Sequence, residues 1–344
     1  MKRKRNTAAV LAALGVIALG LTAWTSLASA RQTATITGAG STAVAPLVAL
    51  WQQNYHGSSV SYSAIGSGGG INAIIARTVD FGASDAPLTT DQAAHCKSCL
   101  QVPWAFFGTS IPYNVSGVGY GLKLTGPILV GIYMGSIKYW DNPAIKKINS
   151  GVNLPHEKIV PIYRSDGSGT SYNFTDYLSH ISKGWKNAIG KSTQPNFPVG
   201  VGARGSGGVA AKLATTAGGI TYVDDAYSIK NHLKIAKLQN RAGRFVLPSI
   251  KNILASAASI KKVTAKDNAF SVVNLNAKGK NRNAYPITTF TWAIVPASSS
   301  HASDLKPFLT WAVTKGQSYG QPLQFAPMPK VVVAAALRTI KKIH

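Results

Sequence analysis

Carboxylates are scarce in this chain. Its 344 residues hold ten Asp and one Glu, Glu157, against 36 Lys and Arg, for a formal charge of +25. Charged residues make up 14% of the chain, where about 25% is usual, so the positive balance reflects missing acids rather than added bases. The bases are scattered, apart from 2–5 and pairs such as Lys146-Lys147, Lys261-Lys262 and Lys341-Lys342. That pattern lacks the clustered footprint of a nucleic-acid binder, so none is expected as a partner. The deficit is read instead as a hypothesis of work in acid. Paired carboxylates lose their stabilising charge as they protonate, so a chain with few of them loses less. Unfolding as pH falls from about 5 to 3, where ordinary carboxylates titrate, would refute that reading.

Other absences exclude chemistry. Clustered Asp, Glu and His of the kind a metal-dependent phosphatase needs are missing, and the one adjacent acid pair is Asp224-Asp225. No G-x-x-x-x-G-K-[ST] reaches for nucleotide phosphates. No G-x-S-x-G elbow marks a serine hydrolase. Gly38, Gly40 and Ala43 fit the looser dinucleotide pattern, but the first acid downstream is Asp80, too far on for the ribose. Neither metal nor cofactor is expected. The two cysteines, Cys96 and Cys99, have no second Cys/His pair to complete a zinc site. In an exported chain they read as a small structural disulfide closing a surface loop.

Export is read from the N-terminus. Lys2-Arg3-Lys4-Arg5 is a basic n-region, an apolar stretch runs to about Trp24, and Ala28-Ser29-Ala30 is a small-x-small cleavage site. Residues 1–30 are therefore expected to be a signal peptide, with an uncleaved anchor as the alternative. Beyond them no second run of 18 or more apolar residues occurs, so a soluble protein outside the cytoplasm is expected.

Strand and helix signals then alternate. Strands are expected at 34–36, 60–64, 80–83, 100–107, 128–134, 159–163, 219–223 and 288–295. Helices are expected at 44–55, 71–77, 171–178, 305–314 and 331–340. The alternation predicts an α/β fold with a parallel or mixed sheet covered on both faces. Three Gly-rich turns lead into helices: Thr37-Gly38-Ala39-Gly40-Ser41-Thr42, Gly66-Ser67-Gly68-Gly69-Gly70 and Asp166-Gly167-Ser168-Gly169-Thr170. Any one of them reads as helix capping. Three in one chain, with Arg164 beside the third, argue for an oxyanion site, because helix N-termini offer unpaired N–H groups and glycines let an anion approach them.

At these turns the sequence resembles the periplasmic phosphate-binding proteins of ABC-type phosphate importers. The resemblance also runs through Val79-Asp80-Phe81-Gly82-Ala83-Ser84-Asp85-Ala86-Pro87-Leu88 and Gly135-Ser136-Ile137-Lys138-Tyr139-Trp140-Asp141-Asn142-Pro143. It continues in Arg164-Ser165-Asp166-Gly167-Ser168-Gly169-Thr170-Ser171, Gly202-Ala203-Arg204-Gly205-Ser206-Gly207-Gly208 and Gly218-Gly219-Ile220-Thr221-Tyr222-Val223. It implies a two-lobed binding protein, each lobe a mixed sheet flanked by helices, with inorganic phosphate in the cleft between them. By similarity the chain crosses between lobes near Trp104 and near Pro286. Lobe 1 would be 31–104 with 287–344, and lobe 2 would be 105–286.

The resemblance places the ligand on Thr42, Ala43, Ser67, Asp85, Arg164, Ser168, Gly169 and Thr170, with Asp166 orienting Arg164. It implies a monomer that delivers phosphate to the permease subunits of an ABC transporter. Ala43 departs from the family, which often has Phe there. Asp85 would accept the proton that phosphate carries and sulfate lacks; from spacing alone it would cap the turn before Ala86-Pro87. A secreted phosphatase on the same scaffold, or a binder of another oxyanion such as sulfate, are the alternatives.

Overall fold

The computed structural model describes residues 35–258, 260–263, 268, 270–274 and 279–344. The expected leader, 1–30, and the first residue of the first expected strand lie outside them. Two sheets organise the rest. The larger has six strands in the order Val223–Asp224, Cys99–Ser110, Thr288–Pro296, Phe81–Ser84, Thr35–Gly40, Ser59–Ser63. Thr35–Gly40 runs parallel to both its neighbours, while Thr288–Pro296 is antiparallel to Phe81–Ser84 and to Cys99–Ser110. The two central strands are buried almost throughout, as strands covered on both faces are. The second sheet has five strands, Lys234–Ile235, Pro112–Asn114, Gly219–Ile220, Val160–Arg164 and Val201–Ala203. A third, small sheet joins Phe245–Val246, Lys237–Gln239 and Lys123–Leu124.

Each large sheet has its own core. On the first, the helices Ala45–Asn54, Ala302–Val313 and Lys330–Ile340 bury Trp51, Phe308 and Val332 against Trp104 and Phe81. Trp51 and Trp104 meet edge to face at 5.2 Å, and the Trp51 indole donates to the Gly316 carbonyl at 2.8 Å. Rings of this size contribute roughly 1.5–3 kcal/mol each when fully buried, so they anchor that half. On the second, Phe174 of the helix Gly169–Ile181 stacks on Tyr222 at 4.4 Å and meets Tyr133 at 4.8 Å. The chain passes from the first sheet to the second through Ile111, and the edge strand Val223–Asp224 brings it back soon after Gly219–Ile220.

Four expectations fail locally: the first Gly-rich segment is strand as far as Gly40, the expected strand 219–223 is split between the two large sheets, and two more concern helices. Residues 128–134 belong to a helix, Gly126–Tyr133, rather than a strand. Thr125 caps it by accepting the Ile128 N–H, Pro127 stands in its first turn, and Ile128, Leu129, Ile132 and Tyr133 fall on one buried face. The second Gly-rich segment is not a turn either, because its helix starts at Ser67 and contains Gly68, Gly69 and Gly70. Gly68 packs closely there, a Cβ on it lying 3.0 Å from the Gly167 Cα, and Gly70 is required, since its Cβ would lie 2.5 Å from the Ala39 carbonyl oxygen.

The Cys96–Cys99 disulfide is present. It joins the end of the helix Thr90–Cys96, capped reciprocally by Thr89 and Gln92, to the start of Cys99–Ser110. The Arg77 guanidinium ties the loop by donating to the carbonyls of Cys96 at 2.7 Å and Lys97 at 3.2 Å. Among the described residues no helix is long and apolar enough to cross a membrane.

Candidate functional site

The three Gly-rich segments converge. Gly68 donates its N–H to the Gly167 carbonyl at 2.9 Å, joining the N-terminus of the Ser67–Ile75 helix to the loop before Gly169–Ile181. Gly66 takes φ +88°, and a Cβ there would lie 2.5 Å from the Asp166 carboxylate. A Cβ on Gly169 would lie 2.6 Å from that of Asp85. Glycine at both positions is what lets the two walls meet.

Arg164 ends its strand in the second sheet and is 4% exposed. Its Nε donates to Asp166 Oδ1 at 2.7 Å and its Nη2 to Oδ2 at 2.5 Å, a two-pronged pair that fixes the guanidinium plane. The Gly205 N–H adds a bond to Asp166 Oδ1 at 2.9 Å. Burial pushes the Asp166 carboxyl up, but the bonds and charge of Arg164, with the Gly205 N–H, outweigh it and hold the group below its ordinary range. Behind Arg164, the Tyr222 hydroxyl accepts its backbone N–H at 3.2 Å and pairs with Ser171 Oγ at 2.7 Å.

The Gly-rich segments also bury several hydroxyls. Ser168 caps its helix by accepting the Ser171 N–H at 3.1 Å, which leaves its own O–H to donate. Thr170 Oγ1 is buried with no hydrogen-bond partner. From the first sheet, Ser67 Oγ accepts the Asp85 N–H at 3.2 Å and faces Asp85 Oδ2 at 3.4 Å. Thr42 Oγ1 lies 2.8 Å from Ser206 Oγ and accepts the Ser206 N–H at 3.1 Å. Ala43 is fully buried, and its N–H is donated to Ser41 Oγ at 3.1 Å instead of being free.

Asp85 stands among these groups at 2% exposure. Burial pushes its carboxyl up from the usual range, against the hydroxyls of Ser41, Thr291 and Ser67 and the charge of Arg164. Its Oδ1 has no hydrogen-bond partner. It does not cap the turn at Ala86-Pro87. Ser84 does that, accepting the Ala86 N–H at 3.1 Å and donating to the Ala86 carbonyl at 2.6 Å. Asn173 holds the Asp85 carbonyl instead, at 2.8 Å.

The expected site residues therefore share one buried neighbourhood, to which the structure adds Ser206. Ser206 receives Arg164 Nη1 at 3.4 Å as well as Thr42. It falls within the 202–208 segment of the resemblance, the available signal, but nothing in its spacing gives it a role. Among the described residues no group of three or more His, Cys, Asp or Glu side chains could hold a metal ion. The arrangement can take a small tetrahedral oxyanion: one fixed guanidinium, several hydroxyl donors, two helix N-termini and one acceptor carboxyl.

Comparison with known proteins agrees. A family model described as the PBP superfamily domain matches residues 25–315. A phosphate-binding protein PstS of Xylella fastidiosa is 39% identical over 315 residues, covering 89% of this chain and 85% of that protein. The PstS of Pasteurella multocida is 37% identical over 317 residues, covering 90% and 91%. Among solved structures, a high-affinity periplasmic phosphate-binding protein, PfluDING, bound with phosphate, superimposes with TM-score 0.70 at 23% identity, covering 88% of this chain and 92% of that one. A putative phosphate ABC transporter substrate-binding protein from Clostridium perfringens, with bound phosphate, gives TM-score 0.62 at 17% identity, covering 86% and 100%. At such identities these two speak for the two-lobed fold.

Proposed function

The chain belongs to the PBP superfamily and, within it, to the phosphate-binding proteins, and from that premise we propose that it captures inorganic phosphate outside the cytoplasm for an ABC-type importer. One observation carries the reading at the level of residues: a donor and an acceptor, Thr170 Oγ1 and Asp85 Oδ1, are buried without partners in the same cluster as Arg164. Burying unpartnered polar atoms costs about 1–3 kcal/mol each, so such a cluster favours a ligand that satisfies both. Phosphate that still carries a proton does so, through an acceptor oxygen and an O–H.

In this reading Arg164 supplies the full charge, and Asp166 keeps its fork in place. Thr42, Ser67, Ser168 and Thr170 donate hydroxyl hydrogen bonds, and the N-termini of the two helices add backbone N–H groups and their dipoles. Gly169 offers an N–H at the contact between walls. Ala43 contributes only if ligand displaces Ser41 from its N–H. Asp85, whose charged form Arg164 and the hydroxyls support against burial, accepts the ligand proton when ionised; sulfate would then leave it facing a like charge with no hydrogen between.

We also propose lobe limits of 31–104 with 287–344 and 105–286, the first falling inside the strand Cys99–Ser110 and the second just before Thr288–Pro296. Residues 1–30 act as an export leader, and the protein works as a monomer. Its relatives are named as binding proteins, which favours capture over turnover. The test is direct. The protein is expected to bind phosphate at one site per chain in equilibrium dialysis and to show no sustained hydrolysis of a chromogenic phosphomonoester with added divalent metals. Sustained turnover would put a phosphatase in its place, and failure to bind would remove the reading.

A further inference from the structure

Asn173 joins the two walls of the site with nothing to offer an anion. It stands one turn into the helix Gly169–Ile181, whose Phe174, Tyr177 and Leu178 are buried in the second core, and it is 4% exposed. Its Nδ2 donates to the Gly169 carbonyl of its own helix and to the Asp85 carbonyl, both at 2.8 Å. Asp85 directly follows Phe81–Ser84 of the first sheet. Two carbonyl partners fix which way the amide points, because only its nitrogen can donate to both. Both amide hydrogens are then spent, and the remaining oxygen only accepts.

The turn at Asp85 does not need this bond for its shape. Its own wall already holds it: the Asp85 N–H goes to Ser67 Oγ at 3.2 Å, and Thr291 Oγ1 donates to the Ser84 carbonyl at 3.1 Å. What Asn173 adds is a bond from the opposite wall. Packing is thin beside it, where a cavity of about 160 Å³ is lined by Pro87, Thr289 and Trp292 on one side and by Tyr172 and Lys191 on the other. Polar contacts therefore do the joining. A second one lies three residues on, on the same helix face: Asp176 Oδ2 accepts Ser271 Oγ at 3.3 Å, while Lys191 Nζ holds Oδ1 at 3.1 Å. Phe270, next to Ser271, packs on Phe290 and Trp292 of the first sheet.

We propose that Asn173 is a positioning residue that clasps the closed cleft by bridging the backbones of Asp85 and Gly169, and that it sets how long phosphate is held rather than which anion is chosen. This inference rests on the phosphate reading above. The clasp exists only while the walls touch. When they part, the Asn173 amide and the Asp85 carbonyl both return to water, which satisfies them. With the walls together and Asn173 truncated, the Asp85 carbonyl stays buried with only the Thr289 hydroxyl, at 3.5 Å, to donate to it. Truncation therefore penalises the closed state and spares the open one.

The kinetic consequence follows. Phosphate meets the open walls before they close, so capture does not depend on the clasp. Release requires the clasp to break, so its loss speeds release. The Asp85 carboxyl keeps its place in its own wall, so the choice between phosphate and sulfate is retained.

The test measures stopped-flow association and release of inorganic phosphate for the full protein and for Asn173→Ala, with sulfate affinity by calorimetry. Release from the variant is expected to be at least about tenfold faster, as a buried carbonyl left without its donor implies. The association rate should stay within about threefold of the parent's. The ratio of sulfate to phosphate Kd should not change. Asn173→Asp, of the same size but with a carboxylate facing two carbonyls, should release faster still. Parent-like release, a loss confined to association, or a collapse of the anion ratio would each overturn the inference. A parent that binds no phosphate would overturn the phosphate reading instead, and this inference with it. Should the variants fail to fold, the parent decides by NMR: the Asn173 side-chain amide hydrogens are expected to exchange with solvent more slowly once phosphate is bound, and equal exchange overturns the clasp.

Discussion

The two walls of the cleft hold their charged residues in opposite ways. On the second-sheet wall Arg164 is fully matched, with both oxygens of Asp166 on its fork and the acid held below its ordinary range. On the first-sheet wall Asp85 is under-matched, pushed up by burial with one oxygen bare. In the proposed site a matched cation keeps its geometry whatever arrives and would serve affinity for any oxyanion. In the same proposal an under-matched carboxyl takes a hydrogen from the ligand and would serve discrimination. The contrast predicts that damage to one wall lowers affinity broadly, whereas damage to the other changes which anion is chosen.

The harshest way to break the comparison is Arg164→Ala. Truncating a buried charged partner typically costs 2–5 kcal/mol, and phosphate binding is expected to weaken by at least about that much in calorimetry. Parent-like affinity would take Arg164 out of the site. Gly169→Ala attacks the meeting of the walls. Its Cβ would lie 2.6 Å from the Asp85 Cβ, so closure should lose about 1–3 kcal/mol, read as weaker phosphate binding with an unchanged fold by circular dichroism.

Asp166→Asn sharpens the comparison most gently. A carboxyl held low stabilises the fold above its ordinary range, and that contribution is lost as pH falls through its depressed value. The variant should therefore melt earlier than the parent at pH 7, by about 1–2 kcal/mol, and the gap should close in strong acid. A gap that widens in acid would reverse the assignment.

The fold was largely legible in the order of strand and helix signals; the three Gly-rich segments pointed to an oxyanion site, and the family resemblance supplied its proposed residues. The misses have local causes. Residues 128–134 are apolar enough for a buried strand, but Thr125 and Pro127 give the segment a helical start that its hydrophobicity concealed. Three consecutive glycines argue against a helix at Gly68, Gly69 and Gly70. The close approach of Gly68 to Gly167 overrides that propensity. Asp85 could not be told from a turn cap by spacing, since Ser84 beside it is equally able to cap and does so. Ser206 acquires meaning only in three dimensions. Ser206 meets Thr42 across 164 positions of sequence.

The comparison of walls stands or falls on anion choice. Phosphate and sulfate should each be titrated calorimetrically into the parent and into Asp85→Asn at one pH and one salt concentration. The parent should prefer phosphate strongly, up to the 10⁴–10⁵ that a site built to accept a ligand O–H can reach. The Asn variant, which offers a donor and no charge, should narrow that preference by at least about a hundredfold, mostly by admitting sulfate. An Asn variant that discriminates as sharply as the parent would contradict the reading of Asp85 as the group that counts the ligand's proton.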